Sequence, residues 1–154
     1  MSKYTTYDNL TAVDSIWSQA PSHWSFKQLK RCVLSCSNGI WGAEPESDEN
    51  DTIVIRVADF NRDQLCVSNR DYTYRKIKPK EKSNRSLKRN DLLLEKSGGG
   101  EKTLVGQVVL FDKGFDAVTS NFVAKMTPSS TNDPKYLNYV FACLYASRLN
   151  ICSI

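Results

Sequence analysis

The sequence predicts an α+β domain. Apolar, strand-like runs occupy the middle of the chain, helical periodicity marks its two ends, and no regular strand–helix alternation links them. A twisted mixed β-sheet with helices near both ends is therefore expected, not a doubly wound parallel sheet. At 154 residues the chain has the length of one domain, and 40% hydrophobic residues are enough to build a core.

The elements follow in order. Residues 1–20, beginning MSKYTTYDNL, are polar and read as a loosely packed arm that Trp17, Trp24 and Phe26 can anchor. Ser25 is a candidate N-cap. Phe26, Leu29, Val33 and Cys36 then recur at helical spacing, and Gly39 can end that helix. Residues 43–51 form an acidic loop. TIVIRV, from Thr52, reads as a buried strand. YTYRKI is another, with Tyr72, Tyr74 and Lys76 on one face. Residues 78–90 are a basic connector, and 92–95, 104–111 and 121–126 supply further strands. After a loop at 128–133, Asp133 as N-cap and Pro134 at the first helical position open a helix. Tyr136, Leu137, Val140, Phe141, Leu144, Tyr145 and Leu149 give it an apolar face. The folded unit is expected over 21–150, with 151–154 a short tail.

Net charge is +4, mildly basic, and its distribution says more than its size. Arg75, Lys76, Lys78, Lys80, Lys82, Arg85, Lys88 and Arg89 crowd between residues 75 and 89 against Glu81 alone. The acids gather instead at Glu44, Glu46, Asp48, Glu49 and Asp51. Such a basic run is commonly a solvated surface; its functional reading is phosphate contact with salt-sensitive affinity. The five cysteines are odd in number and the N-terminus has no apolar core, so free thiols in a reducing cytoplasm are expected. No apolar run approaches a membrane span.

The most informative stretch is LKRNDLLLEKSGGGEKTLVGQVVLF, from Leu87 to Phe111. It reads as strand, glycine turn, strand. Lys96, Ser97, Gly98, Gly99, Gly100, Glu101 and Lys102 make the turn. Consecutive glycines expose backbone N–H groups and permit close approach, and the lysines attract anions. An inert hairpin and a phosphate-contacting loop both fit. At least one of Gly98 and Gly99 is expected at positive φ or with too little room for a Cβ.

Catalytic readings are weaker. A Walker loop needs Gly-Lys before a helix, whereas Glu101 separates Gly100 from Lys102 and a strand follows. The nearest string to an amino-methyltransferase motif, Asp133-Pro134-Lys135-Tyr136, has lysine in place of the second proline and suits a helix start better. Asp91, Glu95 and Lys96 superficially suggest a metal nuclease, but with leucines between the carboxylates. His23 is the sole histidine, which removes most support for triads and zinc sites. Cys32 and Cys36 lie on the expected helix without a second ligand pair and read as core thiols.

The glycine stretch resembles the target-recognition domain of the specificity subunit of type I restriction–modification systems. Asn90 to Gly99, NDLLLEKSGG, and Val105 to Val108, VGQV, fit that family's central blocks. Trp24 with Phe26 to Leu29, then NGIWGAE from Asn38, VIRVADF from Val54, SNF from Ser120 and YLNY from Tyr136 resemble the flanking blocks in the same order. The similarity covers roughly residues 17–150.

The resemblance implies a non-catalytic chain that reads one half of a bipartite site in double-stranded DNA. AdoMet, ATP and magnesium would then belong to partner subunits, and no cofactor to this chain. Those partners would be the methyltransferase (modification) subunits and a motor–nuclease (restriction) subunit. Phosphate contacts are expected from Lys76, Lys78, Lys80, Lys82, Arg85 and Lys102, and from the loop of Lys96, Ser97, Gly98 and Gly99. Asn61, Arg62, Gln64, Asn84, Arg85 and Asn121 are loop-placed candidates for reading bases, because Arg suits guanine and Asn or Gln suits adenine. The family's long spacer helix is not recognisable after YLNYVFACLYASRLN, so a truncated or half subunit, monomeric in isolation, is expected. The competing class is a protein-interaction module that occupies methyltransferase subunits without reading DNA.

Overall fold

The computed structural model describes residues 27–98 and 104–147. Within them lie strands β1 (Val33–Asn38), β2 (Asp51–Ile55), β3 (Phe60–Asn61), β4 (Cys66–Val67), β5 (Thr73–Lys76), β6 (Leu92–Glu95), β7 (Val108–Leu110), β8 (Ala117–Thr119) and β9 (Val123–Pro128). Helix α1 (Pro79–Lys82) is one turn, and α2 (Pro134–Ala146) is the long helix. The strands make two mixed sheets, ordered β1-β9-β6-β7-β4-β3 and β5-β2-β8. β2 runs parallel to β8 and β4 parallel to β7; the other pairs are antiparallel.

The apolar runs form strands because both of their faces are covered. Along β6, Leu92 joins a cluster with Leu137 and Phe141 of α2, while Leu93 joins Ile55 and Ala117 of the smaller sheet. β7 alternates likewise, with Val108 and Leu110 toward the helix and Val109 toward the second sheet. The outer face of the small sheet packs Val54 and Val118 with Ile77, partly covered by Ile40 and Trp41. The larger sheet thus sits between α2 and the smaller one. α2 begins as its sequence requires: Asp133 Oδ1 accepts the Tyr136 N–H at 2.8 Å, and Pro134 occupies the first turn.

The α+β expectation holds, with corrections. The helix expected from Phe26 to Gly39 is absent from its described part. Leu29–Arg31 is a single 3-10 turn, and Val33–Asn38 is β1, paired with β9 from Val33↔Pro128 to Asn38↔Ala124. Ser35, Cys36, Ser37 and Asn38 are poor helix formers, and β9 offers the segment a hydrogen-bonded ladder. Cys36 is consequently exposed, not a core thiol; Cys32 is buried, and the described cysteines are free. Trp17, His23, Trp24, Ser25 and Phe26 lie outside the described residues.

Other differences are local. One sheet was expected and two form. The strand expected over 104–111 narrows to β7, because Leu104 and Val105 are exposed and Gly106 takes φ +113°. The strand expected at 121–126 starts at Val123, because the Val123 N–H bonds back to the Ser120 carbonyl and leaves Asn121 and Phe122 in a turn. The basic connector contains α1, begun by Pro79. Gly39 does not end a helix. A Cβ there would lie 2.1 Å from the Ser120 carbonyl oxygen and 2.3 Å from that of Thr119, so glycine is required for close backbone approach.

Candidate nucleic-acid interface

The strand directions gather several loops at one end of both sheets. β2 and β8 are parallel and end together, β8 turns directly into β9, and β9 is antiparallel to β1 and β6. Backbone bonds fix the junction: Ile40 N–H to the Thr119 carbonyl (2.7 Å), Ser120 N–H to that of Ile55 (2.9 Å), and Lys96 N–H to that of Phe122 (2.8 Å). A cleft of about 700 Å³ opens there. Its walls come from Trp41, from Arg56, Val57 and Ala58, from Phe60 and Arg62, from Ser97 and Gly98, and from Ser120, Asn121 and Phe122.

Buried carboxylates hold the two cleft arginines. The Asp59 side chain is fully buried; its oxygens accept Arg56 Nε (3.2 Å), Arg56 Nη2 (3.1 Å) and the Arg56 backbone N–H (2.8 Å). Arg70 Nε adds a contact at 3.4 Å. Hydrogen bonding to Asp59 holds the Arg56 pKa above its ordinary value. Arg62 Nη2 lies 3.3 Å from both oxygens of Glu95, also fully buried, and Nη1 donates to Gln107 Oε1. Each guanidinium is thereby fixed with part of its donor set turned from its carboxylate. Ser120 is 2% exposed, and its Oγ has no hydrogen-bond partner.

The sequence-predicted residues do not all come together. Arg62, Ser97, Gly98 and Asn121 meet in the cleft, and Lys96 sits beside it, donating to Asn38 Oδ1 at 2.7 Å. Gly98 has φ +112°; a Cβ there would find only Val57 Cγ2, at 3.9 Å, so conformation and not space demands glycine. Asn61 closes a local turn, accepting the Gln64 N–H and donating to Gln64 Oε1, each at 3.0 Å. Gly99 and Lys102 lie outside the described residues.

Lys76, Lys78, Lys80, Lys82 and Arg85 occupy the opposite end of the sheets. Lys76 pairs with Asp51 at the start of β2, and the Leu87 N–H bonds the carbonyl of Ala117 at the start of β8. Much of this charge is spent internally. Lys76 meets Glu46 and, at 3.1 Å, Asp48; Lys82 meets Asp116; Arg85 Nη1 donates to the Glu81 carbonyl at 3.0 Å. Bonding to Glu46 and then Asp48 raises the Lys76 pKa. The Asn50 N–H, then Lys76, lower that of Asp48. Lys78 and Lys80 are exposed.

Sequence reasoning did not select Arg56, Trp41 or Phe122. The Arg56-x-x-Asp59 spacing is the available signal, since a carboxylate three residues on can reach back to the Arg56 backbone N–H and its guanidinium. The nuclease-like carboxylates do not converge. Asp91 caps the start of β6, accepting from the Lys88 N–H and from Thr127 Oγ1, whereas Glu95 ends the strand roughly 13 Å away. No cluster of three metal-ligating side chains occurs among the described residues. No described helix is long and apolar enough to cross a membrane.

Among solved structures, the chain is similar to the HsdS subunit from Thermoanaerobacter tengcongensis, with a TM-score of 0.55 and 16% identity over 88% of this chain. The chain spans 31% of that subunit's length. A second similar structure comes from work on complex assembly and conformational transition of the type I R-M system, with a TM-score of 0.49, 14% identity, and coverage of 93% of this chain and 35% of that one. No protein-family model and no curated protein matches the sequence. The fold is therefore that of part of an HsdS subunit.

Proposed function

We propose that this chain is a DNA target-recognition domain of the type I specificity-subunit kind, reading one half-site of a bipartite duplex target. The observation that carries this reading is the cleft. The loop motif Lys96-Ser97-Gly98, the turn residue Asn121 and two carboxylate-held arginines converge at one end of the sheets. Exposed backbone and lysine suit phosphates; Arg and Asn suit base edges. The HsdS-like fold supports the same reading.

The chain is non-catalytic in this proposal. Its chemistry is positioning, and methyl transfer and cleavage, with AdoMet, ATP and magnesium, belong to modification and restriction subunits docked elsewhere. The test is a binding selection on random duplexes, performed with the chain alone and with methyltransferase subunits added. Enrichment of a short motif that is altered by Asn121→Ala is expected. Absence of enrichment in both arms overturns the reading and favours a module that only occupies its partners.

A further inference from the structure

We propose that the cleft receives a single nucleobase, unstacked from its neighbours, with its face on Phe122 and an acceptor edge turned to Arg56. This rests on the DNA reading only for the source of the base, not for the chemistry of the cleft. A space of about 700 Å³ is concave and walled by Val57, Ala58 and Phe60 besides the polar groups. A base stacked in a duplex cannot enter such a space; one that has left the stack can.

Two features define the occupant. Phe122 is 58% exposed, yet its turn is pinned by the Lys96 N–H, so an aromatic face is presented by fixed backbone. Arg56 commits Nε and one Nη2 donor to Asp59, which leaves the Nη1/Nη2 end of its fork for a planar acceptor pair. Guanine offers the pair of acceptors, N7 and O6; adenine places the N6 donor against the arginine. The preferred base is guanine.

The test titrates deoxynucleoside 5′-monophosphates, with 2-deoxyribose 5-phosphate as control, into the isotopically labelled full chain followed by NMR. dGMP is expected to shift the Phe122 and Arg56 signals and to bind at least about fivefold tighter than dAMP, the low end of arginine–guanine discrimination. Phe122→Ala should weaken dGMP at least about fivefold, while Phe122→Tyr retains it. Equal binding of dGMP and the sugar phosphate, or an unchanged Phe122→Ala variant, overturns the proposal. A second arm compares a duplex carrying one G·T mismatch with its G·C parent. Tighter binding of the mismatch identifies DNA as the source, because eversion then costs less. Equal duplex affinities together with dGMP binding identify a free nucleotide. A chain that binds duplex but not dGMP overturns the cleft proposal alone. One that binds dGMP but no duplex overturns the DNA reading alone.

Discussion

Arg62→Ala is expected to destabilise the fold by about 3 kcal/mol, because it strands a buried carboxylate. Glu95 is 1% exposed, and Arg62 Nη2 stands 3.3 Å from each of its oxygens. The same guanidinium also serves Gln107, so the variant leaves two buried groups without their donor. The Arg62 side chain is 35% exposed, and access of water places the cost at the lower end of the roughly 3–5 kcal/mol for breaking buried pairs. With a urea slope of about 2 kcal/mol/M, the unfolding midpoint should fall by about 1.5 M. Adding Glu95→Gln removes the charge and should restore most of the loss. The folded double variant should bind duplex more weakly than the parent, because Arg62 is one of the two arginines that line the cleft. An unchanged midpoint in the single variant, or no recovery in the double, would refute the ion-pair reasoning. Parental DNA binding by a well-folded double variant would make Arg62 a strut and not a contact residue.

Gly39→Ala should cost about 3 kcal/mol or more, at or above the upper range for overpacking, because its Cβ would enter the Thr119–Ser120 backbone; a thermal melt within about 2 °C of the parent, no more than the roughly 2–4 °C that 1 kcal/mol produces in a chain of this length, would contradict that packing. In DNA titrations across salt, Lys96→Ala should flatten the log–log slope by about 0.9, whereas Lys78→Ala/Lys80→Ala should leave it unchanged if DNA sits at the cleft end; the opposite pattern would move the interface to the basic run. Lys76→Ala should lower the melting temperature most near neutral pH. The raised Lys76 pKa gives stability that is complete below the ordinary lysine value of about 10.4 and is lost as pH rises through the folded value. The lowered Asp48 pKa gives stability present above about 3.9 and lost as pH falls through its folded value. A parent–variant difference that stays constant from pH 3 to pH 11 would count against this clamp.

Local signals were legible in the sequence; long-range partnerships were not. β6 was delimited to the residue, because LLLE is an apolar run buried on both faces. Asp133-Pro134 opened α2 where capping chemistry requires. β1 was misread because its apolar spacing fits a helix, and only the partner β9, about ninety residues later, makes it a strand. The acidic loop and the basic run were both visible, but not that they neutralise one another, Arg75 meeting Glu44 at 2.6 Å and Lys76 meeting Glu46 and Asp48. A charge run read by itself overstates the charge available to a partner. Four of the cleft residues were among the sequence candidates. Their convergence was not legible, because the walls come from segments spread between residues 41 and 122.

The same geometry separates the frame of the cleft from the side chains it presents. The frame is backbone and buried charge: Gly39 against Thr119 and Ser120, Ile40 and Ser120 bonded across the sheet ends, and Asp59 and Glu95 behind the arginines. Changes there propagate into the core, since Ile55, Phe60 and Val123 pack immediately beneath. Asn121 and Phe122 are different. Their backbone is held by the β8–β9 turn, while their side chains are exposed. Substitution at these two positions alters the donors and the aromatic surface offered to a ligand at little cost to the core. Asn121 variants should therefore keep the parental melting temperature while changing the motif recovered by duplex selection. Variants of Asp59 should lose stability first, and with it every recognition property together.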